Sequence, residues 1–258
     1  MARETILEER VGGGVLLLTM NRPEKRNAFN HALYADFRDA LRDAQDSDDV
    51  RVVVLTGAGQ AFSAGQDFAE MSAAPPPGGE PHGFPSFVDR LASFDKPIVA
   101  AVNGAGSGLG MTMLLHCDIV YVADEARLRC PFVTLGVVPE AASSFLLPLI
   151  VGFQRAAEIL YTAEWIDARR AVELGIAARA FPAAELLPAA LHKASEIAAH
   201  PPKAVRHTKR LLLATRDTAV HAARAREDAA FAERIGSPEN LEAIRAFFEK
   251  RPPDFSRS

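Results

Sequence analysis

Two stretches of this chain set backbone amides where they could do chemistry. Val50 to Leu55 is a β-branched, apolar run that stops at Thr56-Gly57-Ala58-Gly59 and leads into Phe62-Ser63-Ala64-Gly65-Gln66-Asp67. Ile98 to Val102 repeats the pattern and runs into Gly104, Gly106, Gly108 and Gly110. A strand that delivers glycines to a helix N-terminus aims N–H groups at one place, and converging donors bind an anion or a developing oxyanion. Tight turns would satisfy the same composition. The alternation itself excludes more familiar sites. Gly-x-Gly-x-Gly-x-Gly fits no Gly-x-Gly-x-x-Gly register, and no lysine follows as in a phosphate-binding loop. Ser63 has Ala61 where a nucleophile elbow needs glycine, and Ser107 is flanked by Ala105 and Leu109. The seven histidines lie far apart with no His-Glu-x-x-His, and there is no Cys-x-x-Cys, so no metal site is expected. His116 beside Cys117 reads as part of a buried helix end.

Glu140 stands in Leu135-Gly136-Val137-Val138-Pro139-Glu140-Ala141-Ala142-Ser143-Ser144. By residue type it is an acid at a helix N-terminus, favoured there by about 0.3–1 kcal/mol through the helix dipole. Proton transfer is the other reading. Asp67 is placed either to cap a helix through Glu70 or to hold the loop that presents Ala64.

The elements that must position these groups alternate. Val15 to Met20, Val50 to Leu55, Ile98 to Val102 and Asp118 to Val122 read as strands. Asn30 is placed to cap a helix through Ala44, with Leu33, Phe37, Ala40 and Leu41 at helical spacing. Strands separated by helices favour mostly parallel pairing. Met71 to Pro85 contains Pro75-Pro76-Pro77-Gly78-Gly79 and two more prolines, so it sustains neither ladder; it reads as a surface insertion or a lid over a site. Beyond about Phe181 helical patterns dominate. Pro201-Pro202 precedes a helix in which Val205, Leu212 and Leu213 are expected to face a core, with Lys203, Arg206, Lys209 and Arg210 outside. Ser237-Pro238 starts a last helix that runs to about Lys250.

Composition narrows the class. The chain has 258 residues, 48% of them hydrophobic, and a formal charge of −4. That length buries a core without staples, so Cys117 and Cys130 need not pair. The acidic balance argues against nucleic acid. Apolar runs are far short of the roughly 20 residues that span a bilayer. Met1-Ala2-Arg3-Glu4 lacks the apolar core of a signal peptide. The expectation is a soluble, cytoplasmic α/β protein. Its charge is uneven, because residues 201–258 carry 12 Lys+Arg against 8 Asp+Glu, or +4. A basic tail of this kind meets an anionic ligand, an acidic neighbour, or only solvent.

Five segments in order resemble the crotonase, or enoyl-CoA hydratase/isomerase, superfamily. They are Asn21-Arg22-Pro23-Glu24-Lys25-Arg26-Asn27-Ala28-Phe29, Ala61 to Asp67, Lys96 to Gly104, Cys117-Asp118-Ile119 and Ala246 to Pro252. The resemblance implies an α/β fold: a spiral of ββα repeats over residues 1–200, followed by a helical trimerisation region over 201–258. It implies a homotrimer or dimer of trimers, acyl-CoA thioester substrates, and neither metal nor other cofactor. By position, the N–H groups of Ala64 and Leu109 would hold the thioester enolate. Lys25, Arg26, Ala28, Ser63, Gly65, Gln66, Asp67, Phe68, Gly108 and Lys250 would contact the substrate and its CoA moiety.

The two glutamates of the family's hydratases fall on Thr112 and Phe132, neither of which exchanges protons near neutral pH. Glu140 falls in a segment similar to that carrying the single glutamate of Δ3,Δ2-enoyl-CoA isomerases. One carboxyl suffices for a 1,3-proton shift, and apolar neighbours such as Phe132, Val137, Val138 and Phe145 would raise its pKa. The expected reaction is therefore isomerisation of 3-enoyl-CoA to 2-enoyl-CoA. Hydration, a ring-type acyl-CoA isomerisation and non-catalytic acyl-CoA binding are the alternatives.

Overall fold

The computed structural model describes residues 3–67 and 83–257, so Phe68 and most of the Met71–Pro85 stretch lie outside the described residues. The strands divide between two sheets according to a repeated pattern. β1 (Ile6–Gly12) and β2 (Val15–Met20) form an antiparallel hairpin, followed by α1 (His31–Asp46). Each later pair sends one strand to each sheet: β3 (Val52–Gly57) with β4 (Ala61–Ser63), β5 (Ile98–Val102) with β6 (Ala105–Ser107), and β7 (Ile119–Ala123) with β8 (Arg127–Arg129). β3, β5 and β7 lie side by side and parallel in the large sheet, ordered β1-β2-β3-β5-β7-β10, where β10 is Arg179–Phe181. β4, β6 and β8 lie parallel in the small sheet and end against β9 (Ile166–Asp167). α2 (Phe84–Ser93) precedes β5, and the short α3 (Leu109–Thr112) follows β6. These are the expected ββα turns.

Burial explains the uniform apolar strands. All of β3 and β5 is buried, as continuous Val/Ile/Leu/Ala runs in a covered parallel sheet require. α1 buries Leu33, Tyr34, Phe37, Ala40, Leu41 and Ala44, and the Asn30 side chain accepts the Leu33 N–H as its cap. Phe29, Tyr34 and Phe37 pack around Phe87 of α2, with ring centroids 5.0–5.8 Å from it. Among the described residues no helix is long and apolar enough to cross a membrane.

After β8 the chain forms α4 (Ser143–Val151), α5 (Phe153–Thr162), α6 (Ala168–Glu173) and α7 (Ala183–Ala198). Three helices follow: α8 (Pro202–Ala214), α9 (Asp217–Arg234) and α10 (Pro238–Glu249). α10 opens as expected, with Ser237 accepting the Asn240 N–H and Pro238 in the first turn. α8 departs from the expected orientation at two positions, while Lys203 and Arg210 stay exposed as expected. Leu212 is exposed, whereas Lys209 is buried. The reason is electrostatic: Lys209 Nζ donates to Asp118 Oδ2 at 2.8 Å and to the Lys96 carbonyl at 2.7 Å. Arg206 and Arg210 both reach Asp95. The basic tail thus docks on carboxylates of its own chain. A buried cation removed from such a pair leaves its partner uncompensated. Lys209→Ala is expected to lower the free energy of unfolding by about 3 kcal/mol, measured in urea, and a loss under about 1 kcal/mol would show that the pair does not anchor α8.

Candidate active site

β4 and β6 run so close at their C-terminal ends that side chains are excluded. A Cβ on Gly110 would lie 2.3 Å from the Ser63 carbonyl oxygen, and one on Gly65 would lie 2.5 Å from the Ser107 oxygen and 3.3 Å from the Leu109 nitrogen. Gly108 turns the chain with φ +55° into α3. The two glycine-bearing junctions therefore meet, and Ala64 and Leu109 line the same cavity. The Leu109 N–H has no acceptor among the described residues, as expected of a first helical position. The Ala64 N–H differs from expectation: it donates to the Arg26 carbonyl at 2.9 Å.

The segment 22–29 braces this loop. Ser63 is fully buried, and its hydroxyl bridges the Asn27 carbonyl and the Gly65 N–H, so it acts as a bracket and not as a cavity contact. Asp67 is tied to Arg22 Nη2 at 3.1 Å, which holds the loop that presents Ala64. Gln66 Oε1 accepts from Tyr34 Oη. Lys25, Arg26, Ala28, Gln66, Asp67 and Gly108 all line the cavity. Gly65 serves the close approach instead. Lys250 caps α10 with φ +54° and is not among the lining residues.

The cavity encloses about 1220 Å³, above the usual range for drug-sized ligands. Its apolar wall includes Phe132, Leu135, Val137 and Pro139, and the C-terminal helices close it with Phe231, Ile235, Ile244, Phe247 and Phe248. Val138 and Phe145 are half-buried and lie outside the lining. Thr112 is buried, carries an unpartnered hydroxyl and does not reach the cavity. Phe132 does reach it, but as wall.

Glu140 projects into this cavity with no hydrogen-bond partner for its carboxyl among the described residues. Burial pushes its pKa up to about 8, and the carboxyls of Glu227 and Asp228 push in the same direction. It does not cap the helix behind it. Glu227 of α9 does, accepting from Ala142 N at 2.7 Å and Ser144 N at 2.8 Å. Between Glu140 and α4 stand Ala141 and Ala142, with φ +57° and +59°. That left-handed conformation costs about 1–2 kcal/mol per alanine. His116 supplies a second hold on the pair, with Nε2 2.8 Å from the Ala141 carbonyl oxygen. Burial lowers the His116 pKa to about 4, so the ring is neutral and Nε2–H donates.

Glu227 and Asp228 were not recognised from sequence. The signal was available as a helical stripe, because Val220, Ala223, Arg224 and Glu227 are the buried positions of α9 and follow i, i+3, i+4, i+7 spacing. A carboxylate on a buried stripe needs donors, and here they are the amides at the start of α4.

The sequence matches the family model for enoyl-CoA hydratase/isomerase over residues 10–258, so the chain belongs to that family. It is 36% identical over 241 residues to a 2,3-dehydroadipyl-CoA hydratase of Escherichia coli K12, covering 93% of this chain and 94% of that one. It is 33% identical over 247 residues to enoyl-CoA delta isomerase 2 of Rattus norvegicus, covering 93% of this chain and 62% of that protein. An enoyl-CoA hydratase/isomerase structure from Pseudoalteromonas atlantica superposes with a TM-score of 0.94 at 40% identity, over 98% of this chain and all of that one. The fold is the crotonase fold, and the chain is an enzyme of the acyl-CoA class.

The Glu140 environment also fixes a stability trend. Its pKa lies at about 8 in the folded chain against an ordinary 4.5, so the folded state holds a proton that the unfolded chain has lost. Stability from this group is complete below pH 4.5 and falls as pH rises to about 8. Urea titrations across that window are expected to show a decline in the parent chain and a flatter profile in Glu140→Gln. Parallel profiles would show that Glu140 titrates normally.

Proposed function

We propose that this enzyme isomerises 3-enoyl-CoA to 2-enoyl-CoA by a 1,3-proton shift through Glu140. The observation that carries the reading is one unpartnered carboxyl of raised pKa facing the same cavity as the Leu109 amide, while positions 112 and 132 hold no acid. The ionised Glu140 takes a proton from C2. The resulting charge spreads over the dienolate onto the thioester oxygen, which accepts from Leu109 N–H and competes with the Arg26 carbonyl for Ala64 N–H. Glu140, now protonated, delivers the proton to C4. Proton balance closes without another reactant, so the step asks for no metal or cofactor beyond the CoA of the substrate.

A raised pKa suits this double duty, because a group near the working pH both accepts and donates at modest cost. Lys25 and Arg26 at the cavity mouth are placed for CoA phosphates. The assembly proposed is a homotrimer or dimer of trimers, supported by the exposed Leu211, Leu212 and Phe248 of the helical tail. Hydration is the second reading, favoured by the 2,3-dehydroadipyl-CoA hydratase among the relatives. It would need Glu227, which also lines the cavity, as a second carboxyl.

Glu140→Gln is expected to lose at least ~10²-fold in kcat with 3-enoyl-CoA while still binding acyl-CoA. In the parent enzyme kcat/KM should climb about tenfold per pH unit below a midpoint near 8 and level above it, because the free enzyme must be ionised to accept the C2 proton. A pH-independent rate, or full turnover by Glu140→Gln, would remove Glu140 from the mechanism. Fast hydration of 2-enoyl-CoA with no double-bond shift would favour the second reading.

A further inference from the structure

We propose that Arg129 and Trp165 form a subsite for a carboxylate at the far end of the acyl chain, so that preferred substrates are CoA thioesters of short dicarboxylic acids. The inference rests on the reading of the cavity as an acyl-CoA site. The small sheet is ordered β4-β6-β8-β9. Ala64 follows β4, Leu109 follows β6, and Arg129 ends β8. Leu128 pairs with Ile166 in antiparallel register, which sets Trp165 beside Arg129. Arg26 touches the β4 end through its contact with Ala64 N.

A traverse of the sheet therefore meets the exposed Lys25 and Arg26 first, then the amides for the thioester oxygen, then Arg129 with Trp165. A substrate whose CoA phosphates lie against the first cations and whose thioester meets Leu109 sends its acyl chain toward the last. Adjacent strands lie roughly 5 Å apart, so the β8–β9 edge stands roughly 5–10 Å beyond the β6 end, within reach of a chain of about six carbons.

Arg129 is built to receive an anion there. Its Nε donates to the Ala163 carbonyl, and its guanidinium lies 5.6 Å from the Trp165 ring centre, so the group is held in place. Its backbone carbonyl accepts from Gly108 N at 3.0 Å, which ties it to the loop that presents Leu109. Arg22, Arg206, Arg224 and Arg251 each meet a carboxylate of the chain. Arg129 meets none among the described residues, and it lines the cavity together with Trp165 and Phe132. The acids of the cavity wall, Asp67, Glu140, Glu227 and Asp228, would repel a substrate carboxylate elsewhere. A planar guanidinium pairs with such a group in bidentate fashion.

Calorimetric titration of the full chain separates the possibilities. The probes are hexanoyl-CoA, the six-carbon acyl-CoA that ends in a carboxylate, and the pantetheine thioesters of both. The parent chain is expected to bind the carboxylate-ended CoA ester at least tenfold tighter than hexanoyl-CoA, and to keep that preference with pantetheine. Arg129→Met should erase the preference and Arg129→Lys should retain part of it. Equal affinity for the two CoA esters in the parent chain would overturn the subsite and leave the acyl-CoA reading standing. A loss in Arg129→Met that is equal for both CoA esters and absent with pantetheine would also overturn it, by showing that Arg129 reads a CoA phosphate. No binding of either CoA ester would contradict the acyl-CoA reading itself, and the subsite with it.

Discussion

Glu227 holds the start of α4 by accepting the Ala142 and Ser144 amides, and the direction of Glu140 depends on that grip. Ala141 and Ala142 would not adopt consecutive left-handed conformations by preference. Two buried groups compensate. Glu227 accepts the Ala142 N–H within the turn and the Ser144 N–H after it, and the neutral His116 ring donates to the Ala141 carbonyl. Burial is the main reason that Glu140 is a weak acid, and the same carboxyl that fixes the loop adds to it by repelling charge there. Glu227 comes from α9, so residues beyond 201 complete the site and do not merely follow it.

The remainder of the cavity depends on how closely β4 and β6 approach. Gly65 and Gly110 permit it, and no larger residue would fit against the Ser107 and Ser63 carbonyls. Segment 22–29 then clamps the first loop through the Arg22–Asp67 pair and the Ser63 hydroxyl. The Arg26 carbonyl occupies the Ala64 amide, so under the proposed mechanism a thioester oxygen would compete with it for this donor.

Much of this was legible in the residues. Continuous apolar runs marked β2, β3, β5 and β7, and the glycine alternation marked the meeting of two loops, because backbone contact demands the absence of a side chain. Asn30 and Ser237 capped the helices that their positions predicted. The exposed edge strand β1 escaped, since only Ile6 of its seven residues is buried and no alternation remains to read. In α8, Leu212 and Lys209 were read the wrong way round because periodicity counts leucines as core. It cannot know that Asp95 and Asp118 await the arginines and the lysine on the other face. Glu227 escaped for a related reason. Its partners are backbone amides some 80 residues away, so the buried stripe of α9 shows that Glu227 needs donors without showing which.

The central claim is that one carboxyl carries a proton between two carbons of the same substrate. The most direct test follows deuterium from C2 of a 3-enoyl-CoA during turnover in ordinary water. A single acid shielded by Phe132, Val137 and the C-terminal helices predicts product 2-enoyl-CoA with deuterium at C4, above the level left by exchange. A product with none of the label at C4, or a hydrated product in its place, would contradict the account.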